Sequence, residues 1–220
     1  MKARLLRAGD RAVLIEVGSV EDVLALTAAI RDAELTEVID LVPAARTVLV
    51  RTDSDLRTAT GWSLAERLTV IAESAGPMAD TDRDHHEVSI PVRYDGPDLD
   101  DVASSTGLDR AQIVELHTKT LWRAAFVGFA PGFAYLTGGP AQLRVPRRKQ
   151  SRPEVPAGSV ALAGEYSAVY PRESPGGWQL IGTTEMNLWD LDREPPGMIR
   201  PGTWVRFVDS AVSAGDQGLR

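Results

Sequence analysis

Apolar and polar positions along the N-terminal part of the chain switch between the period of a strand and that of a helix. Residues 11–17 (RAVLIEV) form a short apolar run that predicts a strand. Ser19 then offers a side-chain oxygen to cap a helix, with Asp22 three residues on as in a capping box. Val20, Val23, Leu24 and Ile30 give that helix its apolar stripe through about Ala33. Two strand-like runs follow, 36–42 and 47–52, joined through Pro43, Ala44 and Ala45. Leu64, Leu68 and Ile71 mark one face of a second helix, after which Val88, Ile90 and Val92 alternate along residues 87–92. The order β-α-β-β-α-β is that of a ferredoxin-like unit. It places a first α+β domain at residues 1–84.

Residues 77–87 (PMADTDRDHHE) are polar and acidic and read as a linker or exposed loop. His85 and His86 sit in it; as sequence neighbours they point apart and read as surface groups. After Tyr94 come two short helices, the first capped by Asp98 with Asp101 three residues later, the second by Asp109 with Gln112. Leu108 is placed to staple against Ile113, and His117, four residues beyond Ile113, shares that apolar face. It reads either as a buried structural histidine or as a functional one. From Leu121 the character of the chain changes. Residues 128–202 hold 11 of the 19 Gly and 10 of the 14 Pro. That density excludes long helices and predicts short strands joined by tight turns, closing with a strand at 203–208 (TWVRFV). A second domain at 85–210 and a flexible tail at 211–220 complete the expected organisation.

Composition then removes whole classes of chemistry. The 220 residues contain no cysteine, which excludes disulfides, thiolate nucleophiles and cysteine-based zinc sites, and only three histidines, so no metal site is expected. A net charge of −7 disfavours a nucleic-acid partner. There is no apolar run long enough to span a bilayer and no signal-like stretch in MKARLLRAGDR, so no membrane role is expected and the cytoplasm is the expected location. No phosphate-binding G-x-x-x-x-G-K-[ST] loop, G-x-S-x-G elbow or H-E-x-x-H motif is present.

Three segments remain that can carry chemistry. In 126–136 (FVGFAPGFAYL), Gly128 and Gly132 allow close backbone approach around Pro131, while Phe129 and Phe133 offer flat apolar walls. The segment reads as a pocket lining or as a buried barrel turn. Residues 144–152 (RVPRRKQSR) put five positive charges into nine residues of an acidic protein. Arg147, Arg148 and Arg152 form a candidate site for carboxylate or phosphate, the alternative being a solvated basic loop. Ser174, Pro175, Gly176, Gly177 and Trp178 make a turn whose amides can form a nest for an oxyanion, or simply a tight turn. Tyr170 and Trp178 bracket it and can stack on a substrate or pack. Cations, hydroxyls and amides are present, but no convincing nucleophile and base.

The runs GFAPGFAYL, VPRR, VPAGSVALAG, VYP and SPGGWQLIG, with RLLRAGDRAVLIEVG and VPAARTVLV before them, resemble subunit 1 of the so-called allophanate hydrolases, better described as the B subunit of 5-oxoprolinase and including Kip-type kinase inhibitors. The likeness covers about residues 4–208. It implies a small α/β domain followed by a cyclophilin-like β-barrel, and a chain that works with two others: a homologous barrel subunit (subunit 2, or C) and the lactam-opening component of the complex. It further implies an ATP-dependent hydrolase complex converting 5-oxo-L-proline to L-glutamate, with ATP as the complex's cofactor and this chain inactive alone. On this reading Arg147, Arg148 and Arg152 bind the anion, His117, Arg148 and Arg152 are the catalytic candidates, with His117 for proton transfer or orientation, and Tyr170 and the 128–133 and 174–178 segments shape the pocket. Departures stand at Ser151, Ala168, Thr183 and Glu185, where the family usually has Pro, Gly, Arg and Pro. The alternatives are a Kip-type inhibitor of a histidine kinase, acting through its surface, or the carboxyltransferase-like subunit of urea metabolism.

Overall fold

The computed structural model describes residues 1–53, 55–56, 59–76 and 87–213. The chain divides into two compact units, Met1–Asp84 and His85–Arg220. His85 and His86 lie outside the described residues, as does most of the expected linker.

The first unit is a four-stranded antiparallel sheet with two helices. β1 (Arg4–Arg7), β2 (Ala12–Glu16), β3 (Val38–Pro43) and β4 (Thr47–Thr52) lie in the order β1-β2-β4-β3. α1 (Val20–Asp32) starts where the Ser19 hydroxyl accepts a bond of 3.2 Å from the Asp22 N–H, and α2 spans Ala59–Ser74. Strand alternation turns Val13 and Ile15 of β2 and Val48 and Val50 of β4 to the helices, where they meet Val23, Leu26 and Ile30 of α1 and Leu64, Leu68 and Ala72 of α2. Each fully buried Leu or Ile in this core contributes about 1.5–3 kcal/mol.

One expectation fails here. The strand at residues 87–92 forms, but not in this sheet. Its place beside β2 is taken by β1, paired from Arg4↔Glu16 to Arg7↔Val13. β1 is four residues long with apolar residues only at Leu5 and Leu6, too short to show alternation. The ferredoxin-like arrangement is therefore completed from the N-terminal side.

The second unit begins with that displaced strand, β5 (Glu87–Val92), followed by α3 (Leu99–Thr106) and α4 (Arg110–Lys119). Strands β6 (Leu121–Val127), β7 (Ala134–Thr137), β8 (Arg152–Val155), β9 (Ser159–Ala163), β10 (Tyr166–Val169), β11 (Ser174–Gly176), β12 (Gln179–Thr183) and β13 (Trp204–Asp209) complete it. Seven strands form one sheet in the order β12-β9-β10-β7-β6-β13-β5, while β8 and β11 form a separate ribbon. β5 runs parallel to β13. The chain leaving β5 then closes on the opposite edge. Arg93 and Thr183 exchange two backbone bonds of 2.8 Å, and the Gly96 and Asp98 N–H groups donate to the carbonyls of Ile181 and Leu180. The sheet is thus a nearly closed barrel, and the chain is of the expected α+β class.

Inward positions of these strands share one core, with Val88, Ile90, Val160, Leu162, Val169, Ile181 and Phe207 packed against Leu99 and Val102 of α3 and Ile113 of α4. The alternate positions of β9, β10 and β12, Ala161, Ala163, Ala168 and Leu180, turn outward onto a second cluster with Phe133, Val155, Tyr170 and Trp178. β9 is consequently buried on both faces, which explains its unbroken SVALA run. Capping of α4 is as the spacing predicts: the Asp109 carboxylate accepts from the Gln112 N–H and the Gln112 side chain accepts from the Asp109 N–H. The expected tail at 211–220 differs in its first residues, because Ser210–Ser213 form a helical turn whose Ser210 hydroxyl donates to the Val92 carbonyl. Residues 214–220 lie outside the described residues. Among the described residues, no helix is long and apolar enough to cross a membrane.

Candidate functional site

A cavity of about 220 Å³ opens on the outer face of the barrel, lined by Phe129, Phe133, Tyr135, Arg147, Ser151, Tyr170, Pro175, Gly176, Gly177 and Trp178. Three sequence segments far apart in the chain converge here: the glycine-phenylalanine loop after β6, the arginine loop before β8, and the Pro-Gly-Gly turn of β11. The alternation of β7 and β10 sends Tyr135 and Ala168 outward, which brings aromatic side chains to one face.

Phe133 is the hub of these rings. Its centroid lies 5.2 Å from Phe129, 5.1 Å from Tyr135, 5.2 Å from Tyr170 and 5.5 Å from Trp178, all edge-to-face. Such geometry sets positive ring edges against negative faces and fixes the rings' orientations. Phe133, Tyr170 and Trp178 are buried, whereas Phe129 is 59% exposed at the mouth. Phe129 also has φ of +70°, and the Ala130 N–H donates to the Gly128 carbonyl at 2.8 Å across it. This is a γ-turn with a positive central φ, a strained conformation for a residue with a side chain. It is held by two further bonds, Phe133 N–H to the Ala130 carbonyl and Gly128 N–H to the Phe133 carbonyl. Gly132 takes φ of +80°, and a Cβ there would stand 2.8 Å from Trp189 Cβ. Gly128, Pro131 and Gly132 therefore shape this loop without lining the cavity.

The ribbon of β8 and β11 forms the other wall. Gly176 faces Arg152 across it, and the Arg148 N–H donates to the Gly177 carbonyl at 2.8 Å. The glycines answer a steric demand. A Cβ on Gly176 would overlap the Tyr170 hydroxyl and lie 2.9 Å from its Cζ. Gly176→Ala is therefore expected to cost about 1–3 kcal/mol through overpacking. Thermal denaturation checks this, and an unchanged midpoint would mean that the Tyr170 ring moves aside freely. Ser174, the first residue of the expected oxyanion nest, is buried and its hydroxyl donates to the Arg172 carbonyl at 3.2 Å instead of lining the cavity.

The arginines do not act as a group. Arg152 makes a bidentate pair with Asp98, Nη1 to Oδ2 at 2.9 Å and Nη2 to Oδ1 at 2.8 Å. Arg148 Nη1 donates to the same Oδ1, and the Leu180 N–H donates to Oδ2 at 2.7 Å. The Asp98 side chain is only 2% exposed. Two of the three arginines expected to hold an external anion thus hold an internal one. Asp98 is likewise not the side-chain cap of α3: it makes no capping bond, because its oxygens are occupied. Arg147 alone of the three lines the cavity, and among the described residues it has no carboxylate partner. Its charge is felt there. Burial raises the pKa of the Tyr135 and Tyr170 phenols, and Arg147 opposes that rise in both.

His117 is not in the cavity. It is fully buried in the barrel core, with Nδ1 2.8 Å from the Tyr94 hydroxyl and Nε2 2.8 Å from the Ser167 hydroxyl, stacked 4.3 Å from Phe207. A neutral imidazole donates at one nitrogen and accepts at the other, so both hydroxyls are satisfied. Burial lowers its pKa to about 3. This arrangement ties α4 to β10 and to the segment after β5; it brings no proton to the cavity.

Sequence reasoning did not assign Tyr135, Ser151 or Asp98 to the site. Tyr135 lies two residues after Phe133, on the same side of an alternating strand, which was a usable signal. Asp98 lies 50 and 54 residues from its arginine partners, and nothing local marks that pairing.

The two units define a mixed α+β chain whose second unit is a nearly closed barrel with a ligand-sized cavity on its outer face. The chain belongs to the carboxyltransferase domain, subdomain C and D family, which matches residues 3–199. Among curated proteins it is 50% identical over 124 residues to the B subunit of 5-oxoprolinase from Escherichia coli O157:H7, covering 55% of this chain and 57% of that one. It is 41% identical over 146 residues to the B subunit of 5-oxoprolinase from Bacillus subtilis strain 168, covering 65% and 58%. The matches thus span under two thirds of the length of these relatives. Urea amidolyase of Saccharomyces cerevisiae is 22% identical over 241 residues, covering 91% of this chain and 13% of that protein. The crystal structure of TTHA0988 superposes with a TM-score of 0.73 at 36% identity, covering 91% of this chain and 40% of that one.

Proposed function

We propose that this chain is a subunit of a 5-oxoprolinase-type complex that hydrolyses 5-oxo-L-proline to L-glutamate with ATP, together with two partners, a homologous barrel subunit (C) and a lactam-opening one. The observation that carries the reading is the identity of 41–50% to proteins named as the B subunit of 5-oxoprolinase. The cavity supports a shared site: it offers one guanidinium, two phenols, the Ser151 hydroxyl and flat apolar walls, but no carboxylate or imidazole among its lining residues. With no carboxylate or imidazole in the lining to take up their protons, these hydroxyls are not activated as nucleophiles, so the cavity is equipped to bind and polarise. A lactam is a poor electrophile, and transfer of phosphate from ATP to its oxygen makes the ring carbon attackable by water, releasing the amine, ADP and phosphate.

The chain should therefore be silent alone and required in the complex. Co-expressed with the two partner subunits, it is expected to give ATP-dependent glutamate release from 5-oxoproline, and omitting this chain should remove that activity. Undiminished turnover without it would overturn the assignment. The likeness to urea amidolyase favours a second reading, a carboxyltransferase-like role on a urea-derived substrate. ATP-dependent turnover of such a substrate by the same complex, with none of 5-oxoproline, would establish that reading instead.

A further inference from the structure

We infer that the outer-face cavity binds a small organic monocarboxylate, with Arg147 holding the carboxylate and the Phe129, Tyr135, Tyr170 and Trp178 rings holding its body, and that the nucleotide does not bind there. Charge supports this first. Arg148 and Arg152 are committed to Asp98, and Arg144 faces Glu165 at 3.7 Å, which leaves one guanidinium in the cavity. A single planar fork matches one carboxylate, whereas a triphosphate carries several charges and is usually met by several donors. Size agrees. About 220 Å³ is ample for a five-membered ring with one substituent. The walls complete the case. Ring faces line the cavity beside the Arg147 guanidinium, so a flat organic body displaces water favourably while its carboxylate takes a charge-assisted hydrogen bond.

The anchor is also pre-positioned. Residues 146 and 148 on either side of Arg147 are both tied down: Gln179 of β12 donates its side-chain amide to the Pro146 carbonyl, and the Arg148 N–H donates to the carbonyl of Gly177, just after β11. Arg147 thus projects from a loop that its neighbours hold still, which lowers the ordering cost of binding.

The test is direct binding to the full chain, read by calorimetry and by the change in tryptophan fluorescence, with 5-oxo-L-proline, cyclopentanecarboxylate, the neutral 5-oxo-L-prolinamide, inorganic phosphate and ATP as probes. At least one of the two ring carboxylates is expected to bind saturably. The amide should bind at least tenfold more weakly, and neither phosphate nor ATP should compete. Arg147→Gln should weaken the carboxylate at least tenfold with the fold retained, and Arg147→Lys should recover part of the loss. No saturable carboxylate binding up to about 10 mM, equal affinity for the amide, displacement by ATP or phosphate, or an unaffected Arg147→Gln variant would each overturn the inference. It rests on the proposed function only for the choice of 5-oxoproline as a probe. Arg147-dependent binding of cyclopentanecarboxylate alone would leave the inference standing and count against 5-oxoproline as the substrate. A chain that binds 5-oxoproline within a complex that does not open the lactam would overturn the activity and not the site.

Discussion

Replacing Asp98 by alanine is expected to destabilise the second unit by about 3–5 kcal/mol, the range seen when one partner of a buried ion pair is removed. Four donors converge on its two carboxylate oxygens: Arg152 through both Nη atoms, Arg148 through one, and the Leu180 N–H. Alanine leaves two partly buried guanidiniums facing each other with no carboxylate between them, Arg148 keeping only the exposed Asp101 at 3.7 Å, and a buried amide without an acceptor. Those penalties exceed the modest net value of any one of the bonds. Since whole-protein stabilities run at about 5–15 kcal/mol, the loss should be plain in a urea titration. Arg147→Gln, at an exposed guanidinium, should move the midpoint by no more than about 0.5 kcal/mol. A loss below about 1 kcal/mol for Asp98→Ala would mean that solvent or a shifted side chain replaces the carboxylate, and the description of this cluster as the anchor of the arginine loop would fall. Because Asp98 also fixes Arg148 beside Arg147, the variant should bind carboxylate poorly even under conditions where it remains folded.

The second large effect is a dependence of stability on pH that traces to His117. Its folded pKa, lowered by burial to about 3, lies well below the ordinary value of 6.5. Between those values the unfolded chain takes up a proton that the folded chain refuses, so stability is fully present above pH 6.5 and falls as the pH drops toward 3. At pH 5 this one group should make the protein about 2 kcal/mol less stable than at pH 7.5. His117→Gln removes the titrating ring; it lowers stability at every pH because Tyr94 or Ser167 loses a partner, but it should also flatten the slope between pH 7.5 and pH 5. Parallel slopes in the two proteins, measured by denaturant unfolding at both pH values, would show that His117 is protonated within the fold. Lowered carboxylates such as Asp95 and Asp100 titrate below this window and do not confuse it.

Local signals in the sequence were reliable where one element decides the outcome. Ser19 and Asp109 cap the helices that their spacing predicts, and the strand at residues 87–92 forms over those same residues. The errors lie in what each element touches. The alternation of Val88, Ile90 and Val92 says that one face is buried but not against which sheet, and an adjacent helix made the wrong partner look natural. Asp98 shows the same limit in chemistry. An aspartate just before a helix reads as a cap, yet a pair of arginines brought in by the barrel offers its carboxylate stronger bonds than helix amides do. The outer-face cavity was half legible, since its aromatic and glycine segments were visible and their convergence was not. Of the arginine triplet, position alone separates Arg147 from its neighbours, and no pattern of residue types encodes it.

The pairing of β5 with β13 bears on how the chain comes off the ribosome. Arg206 of β13 grips Glu87 of β5 across 119 residues of sequence, and the two strands lie in register from Glu87↔Trp204 to Val92↔Asp209. The first strand of the barrel must therefore wait, unpaired, until the last described strand, β13, has been synthesised. Contacts of such separation make folding slow and leave an apolar edge open meanwhile. The exposed alternate positions, polar Glu87 and Ser89 and then Pro91, which offers no N–H, keep that waiting edge strand from recruiting another copy of itself.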